Sequence, residues 1–230
     1  MDKDISFWEK YAQVKNLNVC AYDRIRKEVQ RGWTEKQLYE LVVKTYEEYG
    51  GSQVLYEGDF ISGPRTCGIE GPATDRVLMK GDTIIVDALC AVDGVYCDTT
   101  RTFFCGEPDA EQERAYKLLQ SLHEEIVEQL RPGAVAGDIY RYTDRRLREE
   151  GYGGLLHHAG HGLGGSWYEA PFLIDTSKEI LKEGMLVAFE PGIYIPGKFE
   201  MRLESNYRVT KQGGVDVFGY TKEMEDFIIE

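Results

Sequence analysis

Four carboxylates lie where the surrounding sequence predicts burial. Asp87 interrupts the apolar run TIIVDALCAV, and Glu190 interrupts LVAFEPGIYI. Asp98 and Glu204 lie in the strand-like runs that follow, VYCDTTRTFF and FEMRLESNYRV. A buried carboxylate is costly and is normally neutralised, paired or bound to metal. Acids that meet in the interior repel each other unless a cation lies between them, so four acids ask for more than one divalent ion.

A glycine-flanked histidine supplies a nitrogen donor for the same centre. His161 lies in HHAGHGLGG, where the glycines permit close backbone approach and imidazole is a common metal ligand. One nitrogen and several carboxylate oxygens predict two divalent ions, Mn²⁺ or Co²⁺ first and Zn²⁺ or Fe²⁺ as alternatives. Two ions about 3.5–4 Å apart would hold a bridging hydroxide and polarise a carbonyl, which is metal-assisted hydrolysis.

The elements that carry these residues occur twice. A helix is predicted from about Thr34 and again around Ile139, and each is followed by two strand-like runs with one acid apiece. Corresponding glycines, first acids and second acids are offset by 101, 103 and 106 residues. We therefore predict one α+β domain over residues 1–230, with pseudo-repeats at about 20–109 and 116–220 and a linking helix over 110–130. Pseudo-two-fold symmetry, curved antiparallel strands and covering helices are expected.

Composition excludes several classes of protein. The 230 residues carry a formal net charge of −13, which argues against a binder of the nucleic-acid backbone. No apolar run approaches the ~20 residues of a membrane span, and the N-terminus lacks the layout of a signal peptide. Five cysteines without CxxC spacing fit reduced thiols. We expect a cytoplasmic protein that binds neither nucleic acid nor membranes.

Longer motifs connect the chain to a known family. They are VDALCAVDGVYCDTTRTF, GHGLGGSWYEAPF, FEPGIYIPG and MRLES. On these motifs the chain resembles the pita-bread metallopeptidases, which include methionine aminopeptidases, and is most similar to the branch of Xaa-Pro aminopeptidases and prolidases. The resemblance covers about residues 15–218. It implies a pita-bread fold, the catalytic domain alone, a peptide or small amide substrate, and a homodimer.

The resemblance also implies roles for individual residues. The dinuclear ligands would be Asp87, Asp98, His161, Glu190 and Glu204. Glu190 would also act as the base toward the nucleophilic water, and His157 would line the substrate pocket as a catalytic residue. Arg202, two residues before Glu204, would steady the carboxylates from behind.

Two positions depart from the family pattern. Tyr168 stands where the family has a histidine seven residues after the ligand histidine, and that histidine is thought to bind the scissile peptide. A phenol can donate a hydrogen bond but is not a base at neutral pH, so Tyr168 is a predicted catalytic donor. Glu70 stands where the family has another histidine, although a one-residue gap could shift that match. We expect Glu70 and Trp167 to line the substrate pocket.

Three functions are compatible with these residues. The first is a dinuclear aminopeptidase or dipeptidase of Xaa-Pro type that uses a metal-bridging hydroxide. The second is a non-peptidase amidohydrolase on the same scaffold, similar to creatinase or ectoine hydrolase, which the replacements at positions 168 and 70 motivate. The third is a catalytically silent binding homologue, against which the complete ligand set counts.

Other polar residues receive simpler interpretations. His123 is expected on the surface of the linking helix. If His157 and His158 belong to a strand, only one of the two rings faces the site. Arg65 and Arg101 are weaker candidates for substrate contact.

Overall fold

The computed structural model describes residues 3–50, 53–54 and 58–230. The described ranges contain four α-helices: α1 (Ile5–Glu28), α2 (Glu35–Tyr49), α3 (Ala110–Ile126) and α4 (Ala136–Glu149). The linking helix predicted over 110–130 is α3, and it ends at Ile126. No helix in these ranges is long and apolar enough to cross a membrane.

Local sequence explains where two of these helices begin. Thr34 accepts a hydrogen bond from the backbone of Gln37, whose side chain in turn accepts from the Thr34 backbone, and this capping box starts α2. Asp109 and Gln112 make the same reciprocal pair at the start of α3. The residue before α4, Val135, has no such side-chain bond, and α4 begins from an isolated bridge between Val135 and Ile180.

The first sheet contains the long hairpin. Its central strands are β3 (Thr83–Val92) and β4 (Val95–Cys105), which pair antiparallel from Thr83–Phe104 to Val92–Val95 without interruption. The short strands β1 (Gln53–Val54) and β2 (Phe60–Ser62) pair with β3, and β12 (Ile228–Ile229) pairs with β4. Helix α1 packs across this hairpin and buries Tyr11, Val14, Leu17, Tyr22 and Ile25.

The second half of the chain forms two smaller sheets. Their strands are β5 (Gly160–Leu163), β6 (Glu169–Leu173), β7 (Leu186–Phe189), β8 (Gly192–Ile195), β9 (Phe199–Arg202), β10 (Ser205–Thr210) and β11 (Gly213–Asp216). One sheet has the order β11-β10-β7-β5-β6, and the other pairs β8 with β9. Each of the two expected apolar runs is therefore divided into two strands, because Glu190–Pro191 separates β7 from β8 and Leu203–Glu204 separates β9 from β10.

The α+β prediction is confirmed by this mixture of helices and mainly antiparallel strands. The core lies between the helices and the strands and includes Tyr22, Phe103, Phe189 and Tyr207. The predicted duplication and the single-domain organisation stay predictions.

Candidate active site

The first hairpin places two acids on one face. Asp87 on β3 is opposite Thr100, and Asp98 on β4 is opposite Leu89, so the two acids are diagonal neighbours on the same side of the pair. Asp87 Oδ1 and Asp98 Oδ1 are buried without a hydrogen-bond partner. Buried polar atoms are rarely left unpaired, so these two oxygens call for a ligand.

The second half supplies two acids from its strand breaks. The backbone N–H of Glu190 donates to Ala159 O (2.9 Å), just before β5, and that of Glu204 donates to Thr100 O (3.0 Å) on β4, so both acids are held by hydrogen bonds to other segments. Thr100 Oγ1 donates to Glu204 Oε2 (2.9 Å), whereas Glu204 Oε1 is buried without a partner. Glu204 therefore approaches the first hairpin directly and leaves one oxygen free for a ligand.

His161 lies on β5 between two glycines. A Cβ at Gly160 would come within 2.1 Å of Ala188 O, and one at Gly162 within 2.2 Å of Ala170 O, so only glycine lets the neighbouring strands approach this closely. His161 Nδ1 donates to Gly162 O (3.0 Å) because a carbonyl can only accept. The Nε2 lone pair is thereby directed into the site.

The five predicted ligands surround one cavity of about 670 Å³. His161 Nε2 lies 3.4 Å from Glu190 Oε1 and 3.7 Å from Asp98 Oδ2. One donor atom each from Asp98, His161 and Glu204 lies within 4.8 Å of the others. A nitrogen and carboxylate oxygens that converge this closely form a donor set that a cation can bridge, and without a cation or bound protons the acids would repel each other.

Burial and mutual repulsion shift the pKa values of these acids in different directions. Burial, followed by the neighbouring acids, raises the pKa of Asp98 and of Glu204 well above the usual range. Burial also raises the pKa of Asp87 to about 7, against the opposing effect of Arg202. Burial acts upward on Glu190 too, but His158 and the other nearby histidines bring its pKa down to about 2. Without cations the site therefore retains protons, which divalent ions would displace.

Arg202 contacts the acids from behind. Its Nη2 donates to Asp87 Oδ2 (3.0 Å) and to Asp59 Oδ2 (2.5 Å), and all three side chains are largely buried. Asp59 is a residue that sequence reasoning missed. A single acid in GDFIS has no spacing partner, and its link to Arg202 spans 143 residues.

His157 and His158 are adjacent residues in a loop before β5. The expectation that only one of their rings faces the site is wrong, because both residues line the cavity. His157 Nδ1 donates to His158 O (2.7 Å), and its Nε2 accepts from Tyr194 Oη (2.7 Å). Burial lowers the pKa of His157 to about 4, so its ring is neutral. His158 Nδ1 lies 3.2 Å from Glu190 Oε1, and although burial opposes it, this acid raises the pKa of His158.

The three remaining predicted residues form other walls of the cavity. Tyr168 lies beside His161, with ring centroids 4.9 Å apart, and Trp167 lies beside Tyr168. Burial, and then Glu190, raise the pKa of Tyr168, so its hydroxyl keeps its proton. Glu70 lines the same cavity from the Ile69–Pro72 segment.

Three weaker interpretations need correction. His123 is not on the helix surface but is buried in the interior. Its Nε2 donates to Leu203 O and its Nδ1 accepts from Tyr207 Oη, both at 2.8 Å. Arg101 is fully buried and donates to backbone oxygens, among them Glu204 O (2.5 Å), so it does not face the cavity. Arg65 forms an ion pair with buried Glu35.

Comparison with known proteins identifies the family. The model of metallopeptidase family M24 matches residues 9–211. The chain belongs to this family. Among M24 relatives, the Xaa-Pro dipeptidase of Pyrococcus horikoshii is 28% identical over 213 residues, which are 92% of this chain and 60% of the relative. The chain thus spans about 60% of the length of curated relatives that it matches.

Solved M24 structures agree with the fold. The X-Pro aminopeptidase of Thermotoga maritima superimposes with a TM-score of 0.92 at 27% identity, covering 100% of this chain and 65% of that one. The prolidase of Pyrococcus furiosus gives 0.90 at 26% identity, covering 95% and 65%. The predicted pita-bread fold and the predicted resemblance to the Xaa-Pro branch are confirmed.

Proposed function

We propose that this chain hydrolyses the amide bond after the first residue of Xaa-Pro peptides, using two divalent cations. The observation that carries the proposal is the convergence of one nitrogen with buried carboxylate oxygens, because His161 Nε2 lies 3.4 Å from Glu190 Oε1 and 3.7 Å from Asp98 Oδ2. Family membership and the Xaa-Pro dipeptidase relatives support the reaction class and the substrate.

The residues present fit such cations. Asp87, Asp98 and Glu204 each offer a buried oxygen without a partner, and His161 and Glu190 complete a set of one nitrogen and several oxygens. This donor set suits Mn²⁺ or Co²⁺, with Zn²⁺ or Fe²⁺ as alternatives. When bound, such ions polarise a carbonyl and lower the pKa of water.

The chain's own groups handle protons and orientation. Glu190 lines the cavity 3.4 Å from His161 Nε2, and its carboxylate is our candidate to accept the proton of the attacking water. His158, 3.2 Å away, can pass a proton toward the leaving nitrogen. His157 is neutral, and both its nitrogens are engaged by the protein, so we assign it to shaping the pocket.

Tyr168 would donate a hydrogen bond to the substrate. Its protonated hydroxyl and its place beside His161 support this role. We expect Tyr168→Phe to lower kcat by roughly fivefold with little change in bound metal, since one neutral hydrogen bond contributes about 1 kcal/mol. Tyr168→His should raise peptidase activity. A decrease in that variant would favour the non-peptidase alternative.

The test is a direct assay with metal analysis. Protein reconstituted with Mn²⁺ or Co²⁺ should hold two ions per chain by mass spectrometry and hydrolyse Xaa-Pro dipeptides or longer Xaa-Pro peptides. Bound metal without turnover of any such peptide would overturn the peptidase proposal, and a screen of small amides would then test the amidohydrolase. Failure to bind metal would favour the silent binding homologue.

Thiol chemistry supports a proposal for the cellular location. The described side chains of Cys20, Cys90, Cys97 and Cys105 are all free. Free thiols are typical of a reducing compartment, so we propose a cytoplasmic location. The expected homodimer stays a prediction.

A further inference from the structure

A second cavity lies beside the amino-terminal end of α1, outside the candidate active site. Its volume is about 280 Å³, and its walls include Lys3, Asp4, Phe7, Glu169, Met185 and Leu186. The larger cavity with the proposed metal ligands shares none of its lining residues. Ligand pockets ordinarily measure about 300–1,000 Å³, so this second cavity suits a molecule smaller than a drug.

The second cavity holds a lysine ammonium group that is only partly engaged. Lys3 Nζ donates to Leu163 O and lies 4.5 Å from the centroid of the Phe7 ring. Gly164 leaves the space for this group, because a Cβ there would come within 2.0 Å of Nζ. An ammonium group has three N–H donors, and the described part of the chain accepts one of them, so the others can meet a ligand.

The pKa of Lys3 shows that its positive charge is poorly compensated. Burial lowers this pKa to about 8, and the opposing effect of Glu169 is the smaller of the two. A buried ammonium group loses the stabilisation of water and keeps its proton less readily unless an anion lies close to it. An anionic group bound beside Nζ would therefore stabilise the charged form.

A carboxylate on another wall supplies the opposite charge. Glu169 begins β6 and is half-buried, and among the described residues no ion pair or hydrogen bond engages its carboxylate. Asp4 is different, because its Oδ1 accepts the Phe7 N–H (2.8 Å) as the cap of α1. Glu169 is thus the acid of this cavity that is open to a bound cation.

The remaining wall is apolar. Leu186 is buried, and Phe7 and Met185 are half-buried. An apolar group placed against these side chains would leave water, which is favourable in proportion to the area covered. The cavity therefore combines one ammonium group, one carboxylate and an apolar wall. A molecule with a carboxylate, an ammonium group and an apolar side chain complements all three.

We propose that this second cavity binds a free α-amino acid with an apolar side chain, its carboxylate at Lys3 and its ammonium group at Glu169. The wall segment 164–170 also carries Trp167 and Tyr168, which line the larger cavity, so one segment borders both cavities. The inference does not rest on the proposed peptidase function, since no group of the proposed metal centre takes part in it.

Three matched ligands test the proposal by calorimetry on Mn²⁺-loaded protein at pH 7, where most of Lys3 is protonated. L-Leucine carries both charges, L-leucinamide lacks the carboxylate, and 4-methylpentanoate lacks the ammonium group. L-Leucine should bind roughly tenfold more tightly than either analogue, because each analogue forfeits one charged hydrogen bond. Lys3→Met should abolish the preference over L-leucinamide alone, and Glu169→Gln the preference over 4-methylpentanoate alone.

Two further variants serve as controls. Lys27→Met changes an exposed lysine on α1 outside the cavity and should keep both preferences. Asp98→Asn changes the larger cavity and should still bind L-leucine, which separates the second cavity from the candidate active site. The proposal is overturned if L-leucine does not bind at millimolar concentration, if all three ligands bind equally well, or if binding is lost in Asp98→Asn but unchanged in Lys3→Met.

Discussion

The two halves of the molecule place their acids beside the cavity in different ways. In the first half, Asp87 and Asp98 lie within an uninterrupted hairpin, whose register places them on one face. In the second half, Glu190 and Glu204 lie at breaks, where β7 gives way to β8 and β9 to β10. In this protein a regular antiparallel hairpin places two acids, Asp87 and Asp98, beside the cavity. The two acids of the second half, Glu190 and Glu204, reach the same cavity from positions where the regular strand pairing is interrupted.

A strand break leaves buried backbone groups without their strand partners, whereas the backbone groups of the intact hairpin stay paired. Backbone groups that leave a ladder need new partners when they are buried. At the second break, His123 donates to Leu203 O and Arg101 donates to Glu204 O, and both side chains are buried. The interrupted half is therefore stabilised by polar side chains from α3 and β4.

The largest expected effect comes from removing one ligand charge in each half. Asp98→Asn and Glu204→Gln should each lower kcat/KM by about 10³-fold, or about 4 kcal/mol, because each would remove a charged oxygen from the proposed metal centre. Steady-state kinetics with metal analysis measures this loss. If one variant retained activity within tenfold of the wild type, the two halves would not contribute equally to one centre.

A smaller effect, on stability, is expected from replacing Arg101, which donates hydrogen bonds to the backbone at the break between β9 and β10. Arg101→Met should destabilise the protein by about 3 kcal/mol, since Glu204 O and Thr221 O lose a donor in the interior. Urea denaturation measures the free energy of unfolding, and the stability of Arg101→Lys should lie between that of Arg101→Met and that of the wild type. Arg208→Met, an exposed arginine on β10, is the control, with a change below about 1 kcal/mol. Equal losses at both positions would contradict the comparison.

The smallest effect concerns His123 and depends on pH. His123→Leu should cost about 1–2 kcal/mol at pH 7.5 through the lost bonds to Leu203 O and Tyr207 Oη. Burial holds the pKa of His123 well below 6.5 in the folded protein, so only the unfolded chain takes up a proton as the pH falls. The unfolded state then binds more protons, and wild-type stability decreases below about pH 6.5.

This linkage gives a signed measurement. The stability gap between the wild type and His123→Leu should narrow by up to about 2 kcal/mol between pH 7.5 and pH 5, because the leucine variant has no such proton to bind. Urea titrations at the two pH values measure the gap. A gap that stays constant or widens at low pH would show that His123 is not buried as a neutral ring.

Sequence reasoning found the elements and the ligand candidates because both depend on short-range patterns. The apolar run around Asp87 defined β3, and the glycines around His161 indicated close strand approach. The strand breaks were missed, since an apolar run interrupted by one acid reads the same whether the strand continues or ends. Proline at position 191, which lacks an N–H, was the local signal that β7 stops.

The sequence by itself determined the family motifs, the acid and histidine candidates, and the α+β class, because each is encoded in residue type and spacing. Only the tertiary structure decided that Asp59 accepts a hydrogen bond from Arg202 and that both His157 and His158 line the cavity. It alone also decided that His123 and Arg101 donate hydrogen bonds to backbone oxygens. These roles depend on buried polar groups finding partners, mostly 80 or more positions away. No local pattern specifies such pairs, since each buried polar group finds its partner in a distant part of the chain only after folding.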